Sequence, residues 1–145
     1  MKKLILLCTF LLSGALAVSG QSKYEVILTG LDQVPRVNTP AMGFFEVWVE
    51  SDTLYVSGTF EDLRSYYWSG FIHYGKKGEA GNRLYRLKAS DFNEEKNSGA
   101  FHPEDNKFPL RSAQKEALRN GHLYINIASN RHQQGEIRGQ IPPMQ

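Results

Sequence analysis

The sequence is nearly free of cysteine, because Cys8 is the only one among its 145 residues. Cys8 lies in a short apolar segment near the N-terminus that we interpret as part of a cleaved leader. After cleavage the chain would have no disulfide and no reactive thiol, although an exported protein could form a disulfide. Residues 21–145 are numerous enough for one domain with a hydrophobic core, so its stability would depend on packing alone.

Long hydrophobic runs are also missing. The apolar stretch Leu4–Leu12 is too short to anchor the chain across a bilayer. Two lysines precede it and small residues follow it up to position 20, so residues 1–20 have the pattern of a secretory signal peptide. Cleavage after Gly20 is favoured over cleavage after Ala17. We expect an exported protein, periplasmic or extracellular, with no transmembrane anchor in the mature chain.

The chain lacks a surplus of charge of either sign. Its 17 basic residues exceed its 15 acidic residues by two, and residues 1–20 contain two lysines and no acid. Without the leader, 17 − 2 = 15 basic residues balance 15 acidic ones. Bulk charge therefore gives no argument for binding nucleic acid or an anionic membrane. A local basic group is interpreted as a solvated hairpin surface: Lys76, Lys77, Arg83, Arg86 and Lys88.

Recognisable catalytic motifs are absent from the sequence. It has no GxSxG, HExxH or CxxC motif and no dinucleotide-binding fingerprint. The glycine-rich segment 75–81 lacks the spacing of a phosphate-binding loop, so we interpret it as a chain reversal. Asp32, Glu46, Glu136 and Arg138 could serve as acid, base and anion clamp, but no motif fixes their separation. A non-catalytic protein is therefore favoured over an enzyme.

The sequence is rich in the alternation of apolar and polar side chains that is typical of half-buried strands. A short helix is predicted over 112–120, with Ser112 as its cap and Gly121 as its stop. The polar segment 89–109 is expected to be an irregular surface excursion. We predict an all-β fold: an antiparallel Greek-key-like β-sandwich of about seven or eight strands, with the helix before the penultimate strand. The predicted strands are 24–29, 43–50, 53–61, 66–74, 83–88, 123–128 and 135–141, in one domain over residues 21–145.

Alternation also divides the side chains between two faces. The core-facing residues of the second and third strands are predicted to be Phe45, Val47, Val49, Leu54, Val56, Gly58 and Phe60. Phe44 and Trp48 would point away from that core. If exposed, they and the aromatic residues of the fourth strand would suit a partner protein or a sugar ring; the alternative is a second packing face. The fourth-strand aromatics are Tyr66, Tyr67, Trp68, Phe71 and Tyr74.

The two ends of the mature chain carry a family resemblance. Residues 121–127 read GHLYINI and residues 135–141 read GEIRGQI, which resembles the closing motif of the CHRD domain, named after the extracellular protein chordin. Residues 28–35, LTGLDQVP, and 38–43, NTPAMG, resemble the opening of that family. The resemblance extends over nearly the whole mature chain. It implies a fold and an extracytoplasmic location, and it says little about biochemical activity.

Histidines are the most suggestive feature that the resemblance implies. In many members the fourth strand resembles a His-x-His pattern and the penultimate strand resembles an Asn-x-His pattern. The histidines of these two patterns could bind zinc or copper in a dismutase-like arrangement. This sequence has Phe71 and Ala128 at two of those positions, so only His73 remains. His132 is the candidate second ligand if its loop folds back. A copper- or zinc-binding or dismutase-like protein centred on His73 is the alternative function.

The remaining conspicuous polar residues are interpreted as structural or binding residues. Arg138 could bind several carbonyls, or a carboxylate near residues 34–35, and Glu136 could pair with it or across strands. Asn126 is unfavourable inside a strand and is expected to hydrogen-bond a neighbouring loop. The favoured function is a non-catalytic binding or structural module, whose partner is a protein, a glycan or an envelope component.

Overall fold

The structure is a computed structural model that describes residues 21–145, so the predicted leader and its cleavage site lie outside the described residues. The fold is all-β, as predicted, with a short 3-10 turn at Gly30–Asp32 and one helix, α1 (Ser112–Arg119). The strands are β1 (Tyr24–Thr29), β2 (Met42–Glu50), β3 (Thr53–Glu61), β4 (Tyr67–Tyr74), β5 (Arg83–Leu87), β6 (Gly99–Phe101), β7 (Lys107–Pro109), β8 (Leu123–Ser129) and β9 (Ile137–Gln140).

All nine strands belong to one antiparallel sheet that is nearly closed. The order is β5-β4-β8-β9-β1-β2-β3-β6, and β7 also pairs with β3. An isolated bridge between Ser90 and Ala100 connects the region after β5 to β6, so the two ends of the sheet meet. The sheet thus folds over one shared core as two layers of strands, and the predicted antiparallel sandwich with a helix before the penultimate strand is confirmed.

The alternation of side chains predicts the core correctly on the long strands. Phe45 and Val47 of β2 are buried, as are Leu54, Val56 and Phe60 of β3. The outer faces of these strands carry polar and partly exposed side chains, as a sheet with one solvated face requires. In contrast, all seven residues of β8 are buried. Something must therefore cover the outer face of β8 as well.

The segment 89–109 differs from the predicted irregular excursion, because it contains β6 and β7, which both pair with β3. Asn106, which is fully buried, lies between them. Its side chain accepts a hydrogen bond from the Lys88 N–H (2.8 Å) and donates to the Lys88 carbonyl (3.0 Å). The side-chain amide of Asn106 therefore forms hydrogen bonds with the backbone of the residue that follows β5.

Helix α1 begins and ends close to the predicted positions. Its N-cap is Arg111 rather than Ser112. The Arg111 N–H donates a hydrogen bond to the side-chain oxygen of Gln114 at 3.0 Å. Gly121 follows the helix at φ +67°, a conformation that favours glycine, which confirms the predicted stop. On α1, Ala117 and Leu118 are buried and Ala113 is exposed.

Candidate functional site

Four of the eight predicted site residues meet on the outer face of β4, β8 and β9. Cross-strand pairing places Phe71, Asn126 and Arg138 side by side across the three strands. The neighbouring row contains His73 and Tyr124. Because residues i and i+2 of a strand share a face, these two rows form one surface.

The glycine-rich segment 75–81 folds back over this surface. Arg138 donates to the carbonyls of Lys76 and Glu79, both at 2.8 Å. His73 donates from Nδ1 to the Gly81 carbonyl at 2.9 Å, because a carbonyl can only accept. The predicted chain reversal therefore also acts as a cover, and it buries Tyr124 on the outer face of β8.

Arg138 is 2% exposed and is used structurally. Its Cζ lies 3.5 Å from the centroid of the Tyr124 ring, a cation–π contact. Burial lowers the pKa of Arg138, while Tyr124 and Asp32 raise it. Its guanidinium thus binds carbonyls, one of the two predicted possibilities. Those carbonyls belong to the 75–81 segment, and Glu136 does not form an ion pair with Arg138.

The imidazole of His73 is buried. Its ring stacks on Tyr124 with centroids 4.9 Å apart and planes 17° apart. Burial lowers the pKa of His73, the hydrogen bond to the Gly81 carbonyl opposes that effect, and the charges of Arg83 and Arg138 lower it further. Nε2 is buried without a hydrogen-bond partner.

The structure does not bring His73 and His132 together. His73 pairs with Tyr124, whereas the His132 N–H donates to the carbonyl of Ser129, which pairs with Tyr67 at the other end of β4. His73 lies six positions after Tyr67 along β4. At about 3.3 Å per residue, the two positions are roughly 20 Å apart. Within residues 21–145, no three His, Cys, Asp or Glu side chains come together as a metal site would require.

Asn126 bonds two loops, as its position in a strand suggested. Its Oδ1 accepts from the side chain of Gln33, and its Nδ2 donates to the Gln134 carbonyl at 3.0 Å. A Cβ on Gly135, which has φ +134°, would lie 2.3 Å from Oδ1 of Asn126. Glycine at position 135 is therefore required by this contact.

Glu136 is fully buried and connects two other loops. Its Oε1 accepts hydrogen bonds from the Thr39 hydroxyl and from the Arg64 N–H, the latter at 2.8 Å. Oε2 is buried without a partner. The carboxylate therefore holds segments that come before β2 and after β3, and we interpret Glu136 as a structural residue.

The aromatic residues that the sequence grouped together lie in separate places. Tyr67 packs in the core against Phe60, with ring centroids 5.4 Å apart. Trp48 stacks on Tyr55 at 5.4 Å, and the Lys23 ammonium lies 4.6 Å from its ring. Trp68, by contrast, is 47% exposed. The aromatic group therefore does not form one patch, and Trp48 and Trp68 belong to different surfaces.

Trp68 lines a cleft of about 380 Å³ together with Ser69, Phe71, Arg83 and Arg86, which we call the Trp68 cleft. Two irregularities of the sheet build it. Along β4, Tyr67 pairs with Ser129 and Ser69 with Ala128, so Trp68 has no partner on β8 and forms a bulge. Bulges change the direction of a side chain, and this one places the indole at the surface.

A second irregularity lies between β4 and β5. Ile72 pairs with Tyr85 and His73 pairs with Arg83, so Leu84 is the extra residue. Residues three apart on a regular strand point to opposite faces, but the extra residue brings Arg83 and Arg86 to the same face. Their Cζ atoms lie 4.4 Å and 5.9 Å from the Phe71 ring centroid.

The two arginines of the cleft are exposed cations. Across residues 21–145, neither guanidinium has a carboxylate within ion-pair distance. Their number and charge were visible in the sequence, where we interpreted them as a solvated surface. Their shared direction was not visible, because the bulge at Leu84 reverses the expected alternation.

A larger concave surface of about 440 Å³ lies on the outer side of β1, β2, β3 and β6. Phe44, 46% exposed, and Ile27, 54% exposed, provide its apolar lining. Glu25 and Glu46 also line it. Of the predicted aromatic group only Phe44 lies there, so this surface does not contain the rest of the predicted site.

Comparison with known families decides the relationship of the chain. A family model described as the CHRD domain matches residues 24–141. The chain belongs to the CHRD family. The match begins with β1 and ends one residue after β9, so it includes the whole CHRD sheet. Membership supports a binding or structural module in general terms.

No curated protein and no solved structure matches this CHRD chain. Within residues 21–145, no helix has the length and apolar character needed to cross a membrane.

Proposed function

We propose that this CHRD protein is exported and acts as a non-catalytic binding module, with its ligand at the Trp68 cleft. The observation that carries the proposal is the combination of an exposed indole with two unpaired guanidiniums on one face. Exposed aromatic and arginine side chains dominate binding energies at recognition surfaces. The other polar residues of the neighbouring face hold loops, whereas Arg83 and Arg86 of the cleft form no ion pair within residues 21–145.

The copper or zinc alternative centred on His73 has less support, because His132 lies at the other end of β4. We propose that the protein needs no metal cofactor. The test is elemental analysis of protein purified after exposure to zinc and copper, with His73→Ala as the matched variant. Metal bound at one ion per chain and lost in the variant would overturn the proposal in favour of a metal protein.

Export is the first element to test. The proposal rests on the leader-like pattern of residues 1–20. The full chain should be found in the periplasm or the medium when it is expressed in a bacterium. Mass spectrometry should show a mature protein that begins at Gln21. An intact chain that retains residues 1–20 in the cytoplasm would contradict export.

Binding is tested by retention on the envelope of the cells that produce the protein. The exported protein should sediment with isolated envelope, and a triple variant of the cleft, Trp68→Ala with Arg83→Gln and Arg86→Gln, should remain in solution. Arg119→Gln, which changes an exposed arginine on α1, is the control and should sediment as the wild type does. Equal sedimentation of all three proteins, or none for the wild type, would contradict the proposal.

A further inference from the structure

We infer that the Trp68 cleft recognises an acidic saccharide, a sugar chain that carries carboxylate or sulfate groups. The inference rests on the proposed binding function, because it names the ligand class of the same cleft. Two independent features of the cleft point to this chemistry: a pair of oriented cations and an exposed aromatic face. An acidic sugar presents both an anion and a ring with apolar C–H groups.

The cations are placed to receive an anion. Arg83 and Arg86 both lie over the Phe71 ring, at 4.4 Å and 5.9 Å, and the contact holds the guanidiniums in position. The planar set of N–H donors on each guanidinium matches the geometry of a carboxylate or sulfate. Because neither arginine has a carboxylate partner within residues 21–145, an incoming anion does not have to displace one.

The aromatic face supplies the second contact. Trp68 is 47% exposed and is directed outward by its bulge. An indole offers a large apolar face and an N–H donor, which suits a ring that is apolar on its faces and polar at its edge. The cleft volume of about 380 Å³ is near the lower end of the range for small-ligand sites, roughly 300–1,000 Å³. A short saccharide segment fits this size.

The same observations favour a saccharide over a protein or a nucleic acid. A stable protein interface buries roughly 800 Å² on each partner, and Trp68 and Phe71 are the only large apolar side chains in the cleft. Of the other large exposed apolar residues, Ile27 and Phe44 lie on β1 and β2, Leu31 and Val34 lie between those strands, and Tyr66 and Phe92 lie outside the lining of the cleft. Nucleic-acid binding uses many phosphate contacts and an excess of positive charge, whereas residues 21–145 carry a balanced charge.

Calorimetric titration of the exported protein tests the inference. The probes are hexagalacturonic acid, a heparin hexasaccharide and an alginate hexamer, each at low salt. The neutral control is fully methyl-esterified hexagalacturonate, which keeps the sugar and removes the charge. We expect at least one acidic probe to bind, its affinity to fall with added salt, and the neutral control of the same sugar to bind at least about tenfold more weakly.

Variants assign the binding to the cleft. Trp68→Ala and the double variant Arg83→Gln with Arg86→Gln should each weaken binding by roughly tenfold or more. The double variant should also have a smaller salt dependence, whereas Trp68→Ala should keep the wild-type salt dependence. Arg119→Gln should bind as the wild type does. The substituted side chains are exposed, and circular dichroism would verify that the variants are folded.

Several results would overturn the inference. They are no binding of any acidic saccharide, equal binding of the acid and its methyl ester, or binding of sodium sulfate as tight as that of the saccharide. Tighter binding of hexathymidylate or hexaglutamate would favour a nucleic acid or an acidic protein instead. If no acidic saccharide binds but envelope retention still depends on the cleft, the proposed function stands and only the ligand class is wrong.

Discussion

The imidazole of His73 is kept neutral by its surroundings. Its Nδ1–H donates to the Gly81 carbonyl, and its ring lies against Tyr124. The charged groups that act on it are Arg83 from β5 and Arg138 from β9, and both oppose a positive charge on the ring. Protonation would therefore place a third cation among groups that hold the 75–81 segment closed.

Replacement of His73 by asparagine should reduce the loss of stability in acid. An asparagine amide can donate to Gly81 much as Nδ1 does, and it does not titrate. Because the folded-state pKa of His73 is lowered, its contribution is fully present above the unfolded-state pKa of about 6.5 and declines as the pH falls below that value. The free energy of unfolding of the wild type, minus that of the variant, should decrease between about pH 7.5 and about pH 5, as measured by urea denaturation.

Because the wild type and the His73→Asn variant are compared at each pH, the contributions of other titrating groups to the unfolding free energy cancel. His102, whose pKa is raised by its hydrogen bond to Asp91, contributes with the opposite sign and is present in both proteins. A difference in unfolding free energy that stays constant with pH would show that His73 is not held neutral.

At the scale of elements, the 75–81 segment is determined by backbone contacts as much as by side chains. A Cβ on Gly81 would lie 1.6 Å from the carbonyl oxygen of Tyr74, so the backbone itself would have to move. Around Gly78, in contrast, no atom lies within 4 Å of such a Cβ, although its φ is +83°. Alanine substitutions at these two glycines therefore distinguish the effect of steric contact from the effect of backbone conformation.

Gly81→Ala should destabilise the fold by more than about 3 kcal/mol, because the clash moves the cover away from His73 and Arg138. Gly78→Ala is the matched control and should cost about 1–2 kcal/mol, the strain of a left-handed alanine. Chemical denaturation measures both values. Hydrogen exchange should show the added opening at 75–81 in the first variant only. Equal losses in the two variants would contradict the tight approach at Gly81.

The sequence could predict elements only where they are long and regular. The faces of β2 and β3 follow from alternation over nine residues each, and the stop of α1 follows from Gly121. Strands β6 and β7 have three residues each, too few to show a period. The direction of Trp68, and the shared face of Arg83 and Arg86, depend on single extra residues that alternation cannot locate.

At the scale of the molecule, side chains complete the closure of the sheet. Tyr85 of β5 stacks on Phe108 of β7 at 4.6 Å, and its hydroxyl donates to the Pro109 carbonyl at 2.7 Å. Asn106 bonds the backbone of Lys88 in both directions. This closure could not be predicted from the sequence, because the contacts join β5 to a later segment that has no regular pattern.

Asn106→Ala should destabilise the protein by about 2–4 kcal/mol, because it removes three hydrogen bonds of a fully buried amide and leaves the N–H and carbonyl of Lys88 without these partners. Asn82→Ala, which changes an exposed asparagine, is the control and should change stability by less than about 0.5 kcal/mol. Thermal and urea unfolding provide the comparison. A loss in Asn106→Ala no larger than in the control would show that this amide does not hold the ends of the sheet together.

Because the two ends of the sheet meet at Ser90 and Ala100, this closure also affects the aggregation of the protein. An open strand edge is a template on which another chain can add its own strand, and long unprotected edges promote fibrils and swapped assemblies. In the part of the chain that the structure describes, that template is interrupted by the Ser90–Ala100 bridge and by the bonds between Asn106 and Lys88. At high concentration we therefore expect aggregates to form from unfolded chains rather than by growth on the folded surface.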